Sequence, residues 1–267
     1  MDLPALLESH WLGCMASAGG GGQVTRIPGA VVLHNPRFRS TLLNFMALRG
    51  AAPGQLAATL EMGGAILAGA ERPPALFLSP ASGELNLLRE ALLALRWRCH
   101  TTQAVLSREL PGQEGEGSGL VQVREVGPSE LGCWADTLVR AYEVAPGPGG
   151  DMAEAWSLLL SDPGVGAEAR LCLGFVEGEP VGTGLLWLQG AIAGLYCGAV
   201  LPAFRRRGVE RATLLARLAW AASAGARLAF LQTDAGSPVE HLCCNRLGFS
   251  QSHRRELWLP PAPRQSR

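Results

Sequence analysis

Val200-Leu-Pro202-Ala-Phe-Arg205-Arg206-Arg207-Gly208-Val209-Glu210-Arg211-Ala212-Thr213 joins an apolar run to an amphipathic one through a turn made of arginines and one glycine. The residues before it, Gly190 to Val200, read as a strand closed by Leu201-Pro202. Those after it, Val209 to Ala224, read as a helix stopped by Gly225, a residue suited to the left-handed C-terminal position. The first N–H groups of a helix have no intrahelical acceptor. At a strand-to-helix turn they point outward together at the positive end of the helix dipole and form an anion site. A diphosphate fits that geometry, and arginine side chains add charge-assisted hydrogen bonds.

Working outward, Arg227 to Thr233 reads as a buried strand. Ser237-Pro238-Val239-Glu240 then sets a helix start, with serine as N-cap, proline at the first position and glutamate at the third. That helix stops near Gly248, and Ser250 to Trp258 reads as a last strand. Upstream, Arg170 to Val176, the turn Glu177-Gly-Glu179, and Pro180 to Leu188 give strand, turn and strand. Ser129 and Glu130 open an amphipathic segment through Tyr142, and Asp151 to Leu160 is a short helix. The second half therefore reads ααβββαβαβ.

Pro202-x-x-Arg205-x-Arg207-Gly208-Val209 after a strand ending in Val200 resembles the acyl-CoA-binding motif of the GNAT superfamily of N-acyltransferases. The strand Leu228 to Thr233, the helix Pro238 to Arg246, and Arg246-Leu-Gly-Phe249 at its end resemble the same family. The resemblance spans Val121 to Trp258. It implies an α/β (α+β) fold, a mixed, mostly antiparallel sheet flanked by helices, and acetyl-CoA as co-substrate without a metal. It further implies that the backbone at Ala199 and Val200 bonds the pantetheine arm and that the turn, from Arg205 through Arg206, Arg207, Gly208, Val209 and Glu210 to Arg211, holds the pyrophosphate. A splay between the strands at Val200 and Leu231 would admit the thioester.

Pro111 to Gly119 is Gly-rich, acidic and without apolar residues, which reads as a linker. Ahead of it, Gln55 to Leu67 reads as a helix, Ala75 to Ser79 as a strand, Glu84 to Trp97 as a helix with leucines at 85, 88, 92 and 95 on one face, and Thr101 to Leu106 as a strand. Asn44 within Thr-Leu-Leu-Asn-Phe, Pro80-Ala-Ser82 and the leucine helix resemble the degenerate N-terminal domain of tandem GNAT proteins. No arginine–glycine turn precedes a helix there, so that half is assigned no cofactor. The expected division is 1–112, a degenerate GNAT-like domain; 113–120, a linker; 121–259, the acyl-CoA domain; and 260–267, a tail.

Composition narrows the classes. Twenty-three basic residues balance 23 acidic ones, giving zero net charge, which argues against a nucleic-acid partner. Every basic residue is arginine, so no lysine serves as base or Schiff-base former. The seven cysteines include no C-x-x-C pair and most lie in apolar runs, which argues for reduced thiols in a cytoplasmic protein without a metal. Met1 to Leu12 carries Asp2, Glu8 and His10 with no basic leading region, and does not read as a secretory signal. No stretch is long and apolar enough to span a membrane. A monomer or homodimer is expected.

Two positions depart from the family. Glu210 stands where a small residue usually lets the backbone approach the diphosphate; it would repel that group unless turned away or paired, with Arg211 or Arg207 as candidates, although a glutamate in a first turn also complements the dipole. Cys244 stands where many members have a tyrosine that protonates the leaving thiolate; it either takes that role or simply packs. No general base is evident, because the strand Ile192 to Val200 carries only Tyr196 and Cys197 as polar candidates. Asp234, Glu240, His241 or a held water remain. Trp187 reads either as a substrate contact or as core. The expected acceptor is a small amine, an amino acid or a peptide terminus. The rival readings are a non-catalytic acyl-CoA-binding module and a partner-binding scaffold.

Overall fold

The computed structural model describes residues 2–18, 20–68, 74–110, 119–161 and 168–261. The expected linker and the C-terminal tail lie largely outside them. In chain order the elements are α1 (Leu3–Ser17), β1 (Gln23–Ile27), β2 (Ala30–His34), β3 (Phe45–Leu48), α2 (Leu56–Leu67), β4 (Ala75–Leu78), α3 (Leu85–Ala94) and β5 (Arg98–Glu109). They continue with β6 (Gln122–Glu125), α4 (Leu131–Ala141), α5 (Pro146–Ser161), β7 (Ala169–Val176), β8 (Glu179–Gln189), β9 (Ile192–Val200), α6 (Val209–Ser223), β10 (Leu228–Asp234), α7 (Pro238–Arg246) and β11 (Ser250–Leu259). Contacts divide the chain into two units. The first holds 1–16, 21–105 and 252–267; the second holds 17–20 and 106–251.

In the first unit β1, β2 and β3 pair antiparallel, β3 and β4 pair parallel, and β11 pairs antiparallel with β4 through Glu256↔Leu78 and Trp258↔Leu76. The C-terminal strand thus belongs with the N-terminal unit. Strand alternation sends Met46 and Leu48 to one face, where they join Leu56 of α2, Leu88 and Leu92 of α3, and Trp258 in one apolar core. Burying leucines such as Leu88 and Leu92 contributes roughly 1.5–3 kcal/mol each. Phe45 faces the other way and stacks on Trp11 of α1 at 4.7 Å. Asn44 is buried and ties its loop, donating to the carbonyls of Phe38 and Ser40 and accepting from the Asn35 N–H.

The second unit orders its strands β10-β9-β8-β7-β6, with β6 to β9 antiparallel and β9 parallel to β10. The turn between β7 and β8 puts Glu177 and Gly178 at φ 53° and 82°, the two-residue conformation that suits strand twist. β6 was not expected from the sequence. It is a short, polar edge strand whose burial pattern carries no apolar alternation. α6 lies close on β7 and β8 because glycines face it: a Cβ on Gly174 would stand 3.0 Å from Thr213 Cγ2, and one on Gly184 only 2.6 Å from Arg217 Nε. α7 starts at the expected serine, which accepts from the Glu240 N–H at 3.2 Å. The Glu240 carboxylate takes the Gly236 N–H rather than that of the cap. Trp187 is buried, in keeping with the core reading. Among the described residues no helix is long and apolar enough to cross a membrane.

Candidate functional site

Pro202 opens a single 3-10 turn after β9, and the chain then needs two left-handed residues to enter α6. Arg206 takes φ 63° and Gly208, the N-cap, takes φ 84°. Glycine adopts that conformation freely, whereas arginine is held in it at a cost. The result is a run of open donors. Backbone N–H groups from Arg206 to Arg211 bond to no acceptor among the described residues, and the first closed helical bond runs from the Ala212 N–H to the Gly208 carbonyl at 3.0 Å. Around them Arg206, Arg207 and Arg211 have exposed side chains.

Arg205 does something else. Its amide donates to the Pro202 carbonyl, and its guanidinium donates to the carbonyls of Val200 and Ala141 at 3.2 and 2.9 Å and to Glu143 at 3.1 Å. It braces the end of α4 against the turn. The sequence, which grouped Arg205 with the other arginines of the turn, could not reveal these three acceptors.

The strand leading into this turn is irregular. Thr183 pairs with Ala199 and Leu185 with Tyr196, leaving Cys197 and Gly198 opposite Gly184 alone. Cys197 has φ 50°, so this is a bulge with one residue in the left-handed region. Each carbonyl of the bulge is taken by a different side chain. Arg217 Nη1 donates to Tyr196 O at 3.0 Å, Thr183 Oγ1 to Cys197 O at 2.9 Å, and Tyr142 Oη to Gly198 O at 3.4 Å. On the other side, the parallel ladder between β9 and β10 runs from Ile192↔Leu228 to Gly194↔Phe230. Its registered pairs do not extend to Ala199, Val200 or Leu231.

Glu210 occupies the second position of α6, and its carboxylate turns along the sheet-facing side of the helix. Its Oε1 lies 4.0 Å from Nη2 of Arg217, a side chain only 1% exposed, and 3.0 Å from where a Cβ on Gly198 would be. It accepts from none of the open amides. The cation that faces the carboxylate is therefore Arg217 rather than Arg207 or Arg211. Burial pushes its pKa above the usual carboxylate range, and the Arg217 charge partly offsets that.

The remaining candidates are dispersed. Tyr196 points its ring into the core, edge-on to Phe230 at 5.9 Å. Asp234 ends β10, exposed, and its carbonyl caps Ser237 N–H. Cys244 sits half-buried on α7, with its thiol pKa pushed up by burial and by Glu240. Glu240 is engaged at the start of α7, and His241 is exposed. Among the described residues no cluster of three or more His, Cys, Asp or Glu could hold a metal. Sequence reasoning missed Tyr142, Thr183 and Arg217. For Arg217 a signal existed: a lone charge within Leu214-Leu-Ala-Arg-Leu-Ala, four residues from Thr213 and seven from Glu210, on the buried helical face.

Residues 136–249, which hold the bulged strand and the open helix N-terminus, match the acetyltransferase (GNAT) family model. The second unit thus carries a GNAT-family domain. No curated protein is significantly similar to the chain. Among solved structures, a GCN5-related N-acetyltransferase from Kribbella flavida superposes with a TM-score of 0.73 at 18% identity, covering 99% of this chain and 98% of its own. One from Sphaerobacter thermophilus gives 0.63 at 17%, covering 86% and 76%. A tandem GNAT protein from the clavulanic acid biosynthesis pathway gives 0.55 at 13%, covering 94% and 93%. At these identities the likeness is one of fold.

Proposed function

We propose that the chain is an acyl-CoA-dependent N-acyltransferase that moves an acetyl group from acetyl-CoA to a primary amine. The run of six open amides from Arg206 to Arg211 carries the reading. A diphosphate accepts hydrogen bonds from several convergent donors at once, and the helix dipole and the exposed side chains of Arg206, Arg207 and Arg211 add positive charge. The pantetheine arm then follows the edge of β9 at Ala199 and Val200, and the thioester enters beside the bulge. The amine attacks the thioester carbonyl directly, with no covalent enzyme intermediate. Positioning and backbone N–H groups facing the thioester oxygen supply much of the rate.

The acceptor is a small amine, an amino acid or a peptide terminus, and the setting is the cytoplasm. The first unit lacks an arginine–glycine turn before a helix and takes no cofactor. Calorimetric titration with acetyl-CoA tests the donor site. Ligand at about 100 times Kd should raise stability by about 2.7 kcal/mol. A thiol-release assay over mixed amines then tests turnover. The Arg206→Ala, Gly208→Val double variant should abolish binding; unchanged affinity would count against the site.

A further inference from the structure

A direct transfer needs a group that removes a proton from the amine, because an ammonium has no lone pair with which to attack. The bulged strand offers only Tyr196 and Cys197, and Tyr196 is packed edge-on to Phe230. Glu240 is engaged by the Gly236 N–H. One carboxylate reaches the bulge from the helix beneath it. Glu210 Oε1 stands 3.0 Å from the position a Cβ on Gly198 would take, its side chain is 20% exposed, and it accepts from none of the amides that surround its own backbone.

Resting on the acyl-transfer reading above, we propose that Glu210 is the catalytic base of this site. The position that usually holds a small residue here holds the proton acceptor. The ammonium gives one proton to the Glu210 carboxylate, which passes it to solvent. The freed lone pair forms the C–N bond at the thioester carbonyl, the tetrahedral adduct collapses, and the C–S bond breaks. The excess proton on nitrogen goes to the departing thiolate, leaving an amide, a thiol and the carboxylate as it began. Arg217, at 4.0 Å, favours the ionised carboxylate and partly offsets the effect of burial.

The ionisable groups around Glu210 leave its titration legible. Arg217 lies on its own helix, Tyr142 follows α4, Cys197 lies in the bulge, Cys172 comes from β7 and Cys243 from α7. Burial pushes up the Cys197 thiol, the Cys172 thiol to about 11 and the Cys243 thiol to about 12. None of the three changes charge between about pH 5 and 8.

The test uses the full chain, acetyl-CoA, and three acceptors: spermidine, tryptamine and a glycine-initiated peptide. Glu210→Gln keeps size and removes the base; Glu210→Asp keeps a carboxylate on a shorter stem. With whichever acceptor wild type uses, Glu210→Gln should lower kcat by about 10²-fold or more. Its acetyl-CoA Kd should stay within about threefold, the acidic limb of kcat/KM should vanish, and Glu210→Asp should recover part of kcat. A Glu210→Gln enzyme with wild-type kcat, or one changed only in KM for acetyl-CoA, overturns the proposal. Wild type that binds acetyl-CoA but acetylates no acceptor sinks the transferase reading itself, and the base with it.

Discussion

Arg217 and Glu210 lie two turns apart on α6, and Nη2 of the guanidinium stands 4.0 Å from the carboxylate while Nη1 holds the Tyr196 carbonyl at 3.0 Å. One fully buried cation thus balances the acid at the helix start and fixes the first carbonyl of the bulge. Nη2 has no hydrogen-bond partner, so the pair is joined by charge rather than by a close bond.

Replacing Arg217 with methionine should cost about 3–5 kcal/mol, since it strands a buried carboxylate and leaves the Tyr196 carbonyl without its donor. Adding Glu210→Gln should return part of that loss, giving a coupling of about 1 kcal/mol or more in a urea-denaturation double-mutant cycle. Strictly additive effects would show that the two charges do not interact.

Gly184→Ala places a methyl 2.6 Å from Arg217 Nε and 2.9 Å from Cys172 Sγ. Overpacking of that kind costs about 1–3 kcal/mol, and the displaced guanidinium should lower turnover beyond what the stability loss explains. A variant as stable as wild type would mean that the helix and sheet pack less closely than described.

Thr183→Val removes the hydroxyl that donates to the Cys197 carbonyl and leaves that part-buried carbonyl without this donor. The expected loss is about 1–3 kcal/mol, with a fall in kcat as the bulge relaxes. Tyr142→Phe removes the longer bond to Gly198 from a half-exposed ring and should cost less than about 1 kcal/mol. Thermal denaturation of the two variants side by side checks the ranking.

In the first unit, Glu8 is 1% exposed and meets His253 Nε2 at 3.0 Å and Arg255 Nη1 at 3.6 Å. Burial raises its pKa, but the Arg255 charge and the His253 bond outweigh that, and the net shift is downward. A depressed folded pKa gives stability that is present above the unfolded value of about 4.3 and lost as pH falls through the folded one. Wild-type stability should therefore drop on acidification below about pH 4.3, and Glu8→Gln should be less stable at pH 7 with a shallower acid slope. Equal slopes in the two proteins would remove Glu8 as the cause.

How much of this was legible in the sequence differs between the units. In the second, the hairpin at Glu177-Gly178, the stop at Gly225 and the start at Ser237-Pro238 all follow from local backbone chemistry and stand within a residue or so of expectation. In the first, α1 and β1 to β3 went unread. α1 is apolar nearly all round, with no dominant face, and β1 is almost wholly exposed, so neither shows a clean period. β11 reads as the closing strand of the second half but pairs with β4, because main-chain ladders carry no sequence label for their partner.

The sequence by itself determined the turn: glycine at 208 and the arginines around it set a helix start with open amides, an outcome governed by residues that are neighbours in the chain. The tertiary structure alone decided what meets at the bulge. Tyr142 reaches Gly198 across 56 positions and Arg217 reaches Tyr196 across 21. Contacts at such separations depend on how helices pack on the sheet, and it is that packing which turned the Glu210 carboxylate toward Gly198.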